Sequence, residues 1–277
     1  MKMTEIIKDA FLFPSKHTGR YAIYLLLSVL IVLFAFGGIL TYAFGILDSE
    51  NYLTGGMYFI IALLIGILIE GYHIKVIKSG INHEDNVPVF ELYDDFMTGF
   101  DNFVVLLAYF LIPTIIVAVV AYGTNLFGNA INVSREFLLQ LFNVYIMGSP
   151  VDIAVNTLYI TISNLIDSLA VSISVALVLF VIFLFLRFIA KARLANTGSL
   201  KEALNIFEIV KDIKRIGIFR VIILLLLVLV IIIGIELLLT IILGNYPFLL
   251  STFCIIITPY FVLVIQRALG LIYSDIA

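Results

Sequence analysis

Six stretches of this chain run for about twenty residues or more with almost no charge, and nothing else in the sequence constrains its fold so tightly. The first, Tyr21 to Leu47, lies between Arg20 and Asp48; the second begins at Asn51 and meets no charge before Glu70. A helix needs roughly 20 apolar residues to cross the hydrocarbon core of a bilayer. Runs of this kind place spans at about 21–47, 52–77, 103–123, 165–190, 219–243 and 247–266. The first run is too long for a signal-peptide core and has no small-residue cleavage site, so it reads as a retained helix. Composition agrees: hydrophobic residues are 63% of the 277 and charged residues 13%, against roughly 45–50% and 25% in soluble domains. With a mean hydropathy of +1.19, the chain has too little polar surface for water, and its solvent is lipid. The net charge of -3 gives no basic footprint for nucleic acid. Cys254 is the one cysteine, so no intrachain disulfide forms.

Lys and Arg collect on the cytoplasmic side of membrane proteins. Of the 16 here, only Arg135 falls in an outward connection, so the chain is expected in the cell membrane with both termini cytoplasmic. The fold class that follows is an all-α, polytopic, six-span membrane protein forming a single domain over 1–277. The two large inner connections look alike. Lys75 to Gly80, Phe90-Glu91 and Gly99 in one answer Lys191 to Gly198, Phe207-Glu208 and Gly217 in the other. This reads either as a parallel repeat of one hairpin or as the basic ends and glycines common to membrane hairpins.

Each connection also carries an amphipathic stretch that fits a helix in the interface, about 88–101 and 199–216. Pro88 suits the first turn of the former. The acidic one sets Phe90, Tyr93, Phe96, Met97 and Phe100 against Glu91, Asp94, Asp95 and Asp101; the basic one sets Leu200, Leu204, Phe207, Val210 and Ile213 against Lys201, Asn205, Glu208, Lys211, Asp212 and Arg215. Two such helices would dock acid to base around buried Phe90, Phe96, Leu204 and Phe207. Otherwise the basic one meets anionic headgroups, or both faces are simply solvated.

Gly71-Tyr72, Val76-Ile77, Pro88-x-Phe90, Gly99 and Pro113, with Ala195-x-Thr197-Gly198-Ser199-Leu200 and Gly270-x-x-Tyr273, resemble the prokaryotic, largely archaeal, integral membrane family called domain of unknown function 4013. The resemblance implies a six-span membrane protein and assigns it no activity.

Catalytic patterns are missing. Glu70-x-x-His73 has the spacing of one half of a di-metal carboxylate site but no second copy, and Asp94-Asp95 has no companion cluster. No Gly-rich phosphate loop or nucleophile elbow occurs. The chain is therefore read as no enzyme, with no catalytic, metal or cofactor residues. Ionisable groups within spans are functional candidates by default, which singles out Glu70, Asp167 and Glu236. Asn164 and Ser168 lie on or beside a polar stripe entering span four, after an outward segment (about 124–164) in which Ser149-Pro150-x-Asp152 reads as a helix start. That stripe either lines a cavity or, through Ser168-x-x-x-Ser172, packs helices closely. The function expected is a non-enzymatic component that organises or binds partners or lipids at the inner face. The partners are the bilayer, anionic headgroups or another membrane protein. The alternative is a transporter of a small molecule or lipid using span four with Glu236.

The charge asymmetry fixes a topology. A reporter active only in the cytoplasm should work fused after Ala277 or inserted within 196–199, and fail near Ser49 or Pro150. Cytoplasmic signal near Pro150 would exclude the six-span arrangement.

Overall fold

The computed structural model describes the backbone of residues 1–45, 49–148 and 151–277, and their side chains apart from 44–45, 49–51 and 151–157. Among the described residues the chain is helical and has no strand. Its elements are α1 (Met3–Leu12), a 3₁₀ turn (Phe13–Lys16), α2 (Thr18–Gly45), α3 (Ser49–Ile81), α4 (Leu92–Gly123), α5 (Leu126–Tyr145), α6 (Val151–Thr197), the single turn α7 (Leu200–Ala203), α8 (Ile206–Ile216), α9 (Ile218–Leu243) and α10 (Pro247–Tyr273). Helices α2, α3, α4, α6, α9 and α10 are long and apolar enough to cross a membrane, and they are the six spans read from the sequence. The end of the first span at Leu47 and the Ser149-Pro150 helix start lie outside the described residues. The chain divides into two compact units, residues 1–106 with 186–277 and residues 107–185, where the sequence reads as one domain.

The first unit is built on α3. In lipid, helices gain nothing by hiding apolar surface from water, so close van der Waals approach at small residues holds them together. A Cβ on Gly71 would collide with the backbone carbonyl of Asp95, and one on Gly99 with that of Ile67, so α4 crosses α3 backbone against backbone. Farther along, a Cβ on Gly80 would come within 3.0 Å of Arg267 O and of Gly270 Cα, so α10 crosses there. Near these crossings lies a core of Phe13, Tyr24, Ile69, Tyr72, Val76, Val87 and Leu263. Helix α1 packs on α10 and buries Ile6 and Ala10, while α9 buries a stripe of Val221, Leu224, Val228 and Ile232. Farther from this end, apolar side chains such as Leu53 (76%) and Ile241 (78%) stay uncovered, as lipid-facing residues should. The end carrying α1 is called the α1 face below.

In the second unit, Asn125 turns the chain from α4 into α5 in the left-handed region (φ 54), which asparagine tolerates better than most residues. Ser168 and Ser172 are buried. Asn129 Nδ2 donates to Ser168 Oγ at 3.1 Å and to Asn164 O at 3.2 Å, and Thr124 Oγ1 lies 3.5 Å from Ser172 Oγ. The serine stripe of span four is thus a helix-packing surface where these contacts fall.

Four expectations need correction. The stretch 88–101 is no separate interfacial helix: α4 runs unbroken from Leu92, and Pro88 lies in the lead-in before it. Gly99 does not interrupt the helix, because the crossing with α3 requires it there. The stretch 199–216 is two helices, α7 and α8, with Asn205 Oδ1 capping α8 by accepting from the amides of Phe207 and Glu208. The segment 124–164 is α5 and the start of α6, so span four belongs to a 47-residue helix. Finally, the two inner stretches do not dock. The ion pairs of Glu91 and Asp95 go to Lys75, and Phe207 is 83% exposed, because each hairpin carries its own counter-charges.

Backbone contact at the α3–α4 crossing makes a clear stability prediction. Gly71→Ala and Gly99→Ala should each lower thermal stability in detergent by about 1–3 kcal/mol. Gly66→Ala, whose Cβ would meet only Ile31 Cδ1 at 4.0 Å, should change it little. Equal effects at all three positions would mean the crossing does not hold the unit together.

Candidate functional site

At the α1 face, the ends of four helices bring a set of polar side chains together inside the first unit. Glu70 and His73 sit one turn apart on α3, which puts them on the same face. Lys191 of α6 donates to Glu70 Oε2 at 2.7 Å, and Asn102 Nδ2 of α4 donates to the same oxygen at 2.6 Å. The other carboxylate oxygen is 3.4 Å from His73 Nδ1, whose Nε2 lies 2.9 Å from the Tyr24 hydroxyl of α2. Lys191, His73, Asn102 and Tyr24 are buried. Arg187, one turn before Lys191, lines a cleft of about 400 Å³ together with Glu70 and Asn102; its remaining walls are apolar.

The hairpin from α3 to α4 and the one from α6 through α8 carry a matched clasp. In the first, Lys75 Nζ lies 2.6 Å from Glu91 Oε2 and 2.8 Å from Asp95 Oδ1. In the second, Arg193 lies 2.7 Å from Asp212 Oδ2 and 3.8 Å from Glu208 Oε2. Each acidic pair is Glu-x-x-x-Asp, following a phenylalanine, and each aspartate is buried, Asp95 at 0% and Asp212 at 2%. Asp95 Oδ2 also accepts from the Glu91 amide at 2.8 Å, while Asp212 accepts from Tyr273 OH at 2.7 Å. Arg267 of α10, buried like Lys191, holds Asp9 at 2.8 Å, donates to Ser79 Oγ at 3.1 Å and lies 4.3 Å over the Phe13 ring.

Beyond the spans, three carboxyls titrate below their ordinary range because cations donate to them: Glu91 beside Lys75, Glu208 beside Lys211 and Asp85 beside Lys16.

Of the residues singled out from sequence, Glu70 belongs to the cluster. Gly71, Tyr72, Pro88, Phe90 and Gly99 meet at the α3–α4 crossing, where Phe90 stacks on Tyr72 at 3.9 Å and Tyr72 OH donates to Pro88 O at 3.4 Å. Ala195 is buried near the end of α6, and Gly198, at φ 64, ends that helix. Gly270 forms the α10 crossing and Tyr273 the second clasp. Glu236 is exposed on α9, about 27 Å along the axis from Ile218, and its backbone carbonyl accepts from Thr240 Oγ1. In the second unit Asp167 and Asn164 are exposed and Ser168 is buried. Among the described residues, no group of three or more potential metal ligands occurs. Sequence reasoning missed Tyr24, Asn102, Arg187 and Lys191 as neighbours of Glu70, whose partners come from distant helices. The clasps had a visible signal in the two Phe-Glu-x-x-x-Asp runs.

Helical spans, glycine crossings and charge clasps confined to one end define a polytopic α-helical membrane protein. The chain belongs to the family described as Protein of unknown function (DUF4013), whose model matches residues 54–244; Gly270 and Tyr273 lie beyond that stretch. Neither the curated proteins nor the solved structures compared with it contain a match.

Two outcomes follow. Lys191→Met should destabilise the protein by about 3 kcal/mol, since it strips a partly buried carboxylate of its cation, and adding Glu70→Gln should restore much of the loss in detergent melts. The three depressed carboxyls add stability above their ordinary pKa values and lose it as pH falls through their lowered ones. Melting temperature should therefore stay level from neutral to about pH 5 and decline below about pH 4. The decline should be shallower in the triple variant Asp85→Asn, Glu91→Gln, Glu208→Gln.

Proposed function

We propose that this protein is a non-enzymatic component of the cell membrane, with both termini cytoplasmic, that holds anionic lipid headgroups through α8. The observation that carries this reading is the two-sidedness of that helix. Ile209, Asp212, Ile213 and Ile216 are buried, and Asp212 is anchored to Arg193 and Tyr273. On the uncovered side Lys211, Lys214 and Arg215 are exposed, flanked by Phe207 (83%) and by Phe219 (77%) at the start of α9. Lys214, Phe219 and Arg220 also line an open groove of about 670 Å³ where α8 meets α9. Aromatic rings beside a cluster of cations at the mouth of a span suit the headgroup layer, and the distribution of Lys and Arg along the chain supports placing this face in the cytoplasm. Each juxtamembrane cation contributes about 1 kcal/mol toward an anionic surface.

The test is lipid retention. Protein purified in mild detergent should bind phosphatidylglycerol in preference to phosphatidylcholine by native mass spectrometry. Replacing Lys211, Lys214 and Arg215 together by Gln should cut that preference by roughly a hundredfold. An unchanged preference would remove α8 as the lipid site.

A further inference from the structure

We propose that a cleft between α2 and α10 binds an uncharged lipid carrying a hydroxyl, a membrane-dissolved long-chain alcohol, at a site separate from α8. The cleft holds about 370 Å³, within the range of ligand sites. It runs from Tyr24 to Val32 along α2 and from Cys254 to Val262 along α10, about 12 Å on each helix. Both helices are long and apolar enough to be spans, and Val32 (60%) and Ile255 (49%) stand uncovered in its walls, so the cleft opens on hydrocarbon. The described residues that line it are all uncharged. An ion entering there would lose its water and find no counter-charge, so the occupant is neutral and comes from the membrane.

The polar requirement comes from Pro259, near the middle of α10. Proline has no N–H, so the carbonyl of Ile255, one turn earlier, loses its helical donor. The next carbonyl, Ile256 O, accepts from the Tyr21 hydroxyl of α2, so the backbone of this stretch is open to donors from outside the helix. Thr258 is exposed in the cleft wall. Thr252, earlier on the same helix, turns its hydroxyl back onto Phe248 O at 2.8 Å. Among the described residues the Thr258 hydroxyl has no hydrogen-bond partner. Ile255 and Thr258 are three residues apart and so share a helix face, in a medium that supplies no partner for either. One ligand hydroxyl meets both needs, donating to Ile255 O and accepting from Thr258 Oγ1, while its chain lies along Val29 and Val32. An alkane fills the same space and leaves both groups unmet.

Photolabelling of the protein in lipid nanodiscs with a diazirine-bearing ten-carbon alcohol tests this, the label being mapped by mass spectrometry. Wild type should be labelled within 254–262 or 24–32. Compared at equal mole fraction in the bilayer, 1-decanol should displace that label about tenfold more effectively than decane, the effect of the hydrogen bonds that only the alcohol makes. Decyl phosphate should displace it no better than decane. Thr258→Val removes the hydroxyl at constant shape, and Pro259→Ala returns an N–H to Ile255 O. Each should reduce the advantage of decanol to about threefold, and the double variant should remove it. Val29→Phe should abolish labelling there by filling the cleft. Equal displacement by decane and decanol in wild type would make the cleft a plain hydrocarbon groove and overturn the proposal. So would displacement by decyl phosphate equal to that by decanol, an undiminished advantage in the double variant, or label that persists at the cleft in Val29→Phe. Because the label is read at α2 and α10, none of these outcomes bears on lipid held by α8.

Discussion

Lipid gives two apolar helices no reason to prefer each other over acyl chains, so something other than hydrophobic burial must decide which spans touch. In this protein α3 decides it through glycines placed where another backbone has to arrive. Gly71 and Gly99 let α4 lie directly on α3, and Gly80 and Gly270 do the same for α10. Tyr72 and Phe90 can stack only because that first crossing is so close. Glu70 likewise reaches Asn102 only because α4 is held against α3 within a turn of Gly71. The crossing thus comes before the polar cluster in the order of causes. Remove the close approach and the carboxylate keeps Lys191 but loses its neighbour from α4.

Charge then locks what the glycines allow. A buried or half-buried cation in a low-dielectric setting needs a carboxylate partner, and four cations, Lys191 and Arg267 buried and Lys75 and Arg193 half-buried, each find one on a different element. Lys191 reaches from α6 to α3, Lys75 from α3 to α4, Arg193 from α6 to α8, and Arg267 from α10 to α1. None of these pairs joins sequence neighbours, so each closes a long loop of chain. They lie at the end of the unit where the spans leave the hydrocarbon, which is where ionised side chains can be kept with least desolvation. Buried pairs add little net stability over apolar packing, yet breaking one is costly. Their effect is to make alternative pairings of the helix ends unfavourable.

The spans were legible because period and length carry them: about twenty apolar residues between charges permit little else in a chain of this composition. Element ends were less so. Gly99 and Gly217 occupy matching places in the two hairpins, yet one lies inside α4 and the other, at φ 93, separates α8 from α9. Sequence spacing treats them alike, and only the arrival of α3 at Gly99 distinguishes them. The neighbours of Glu70 were hidden for a related reason. Glu70-x-x-His73 is a local pattern and easy to see, whereas Lys191, Asn102 and Tyr24 are brought in by three other helices. The acidic-to-basic docking failed because net charge summed over a stretch ignores partners inside the same hairpin, and Lys75 and Arg193 had already engaged the buried aspartates.

The matched clasps also explain why the two hairpins can do different things from the same plan. In both, a cation on the incoming span grips a Glu-x-x-x-Asp pair and buries the aspartate. In the first hairpin the helix continues rigidly from that aspartate into span three, so its remaining acidic side chains, Asp94 and Asp101, are carried along the span's own axis. In the second, the break at Gly217 frees α8 from the direction of α9. The face opposite Asp212 is then left uncovered, with its cations and Phe207 exposed. A helix clasped on one side and released at its end is suited to lie along a headgroup layer; one fused to a span is not. The break at Gly217 and the exposed cations of α8 together separate this hairpin from the one fused to its span.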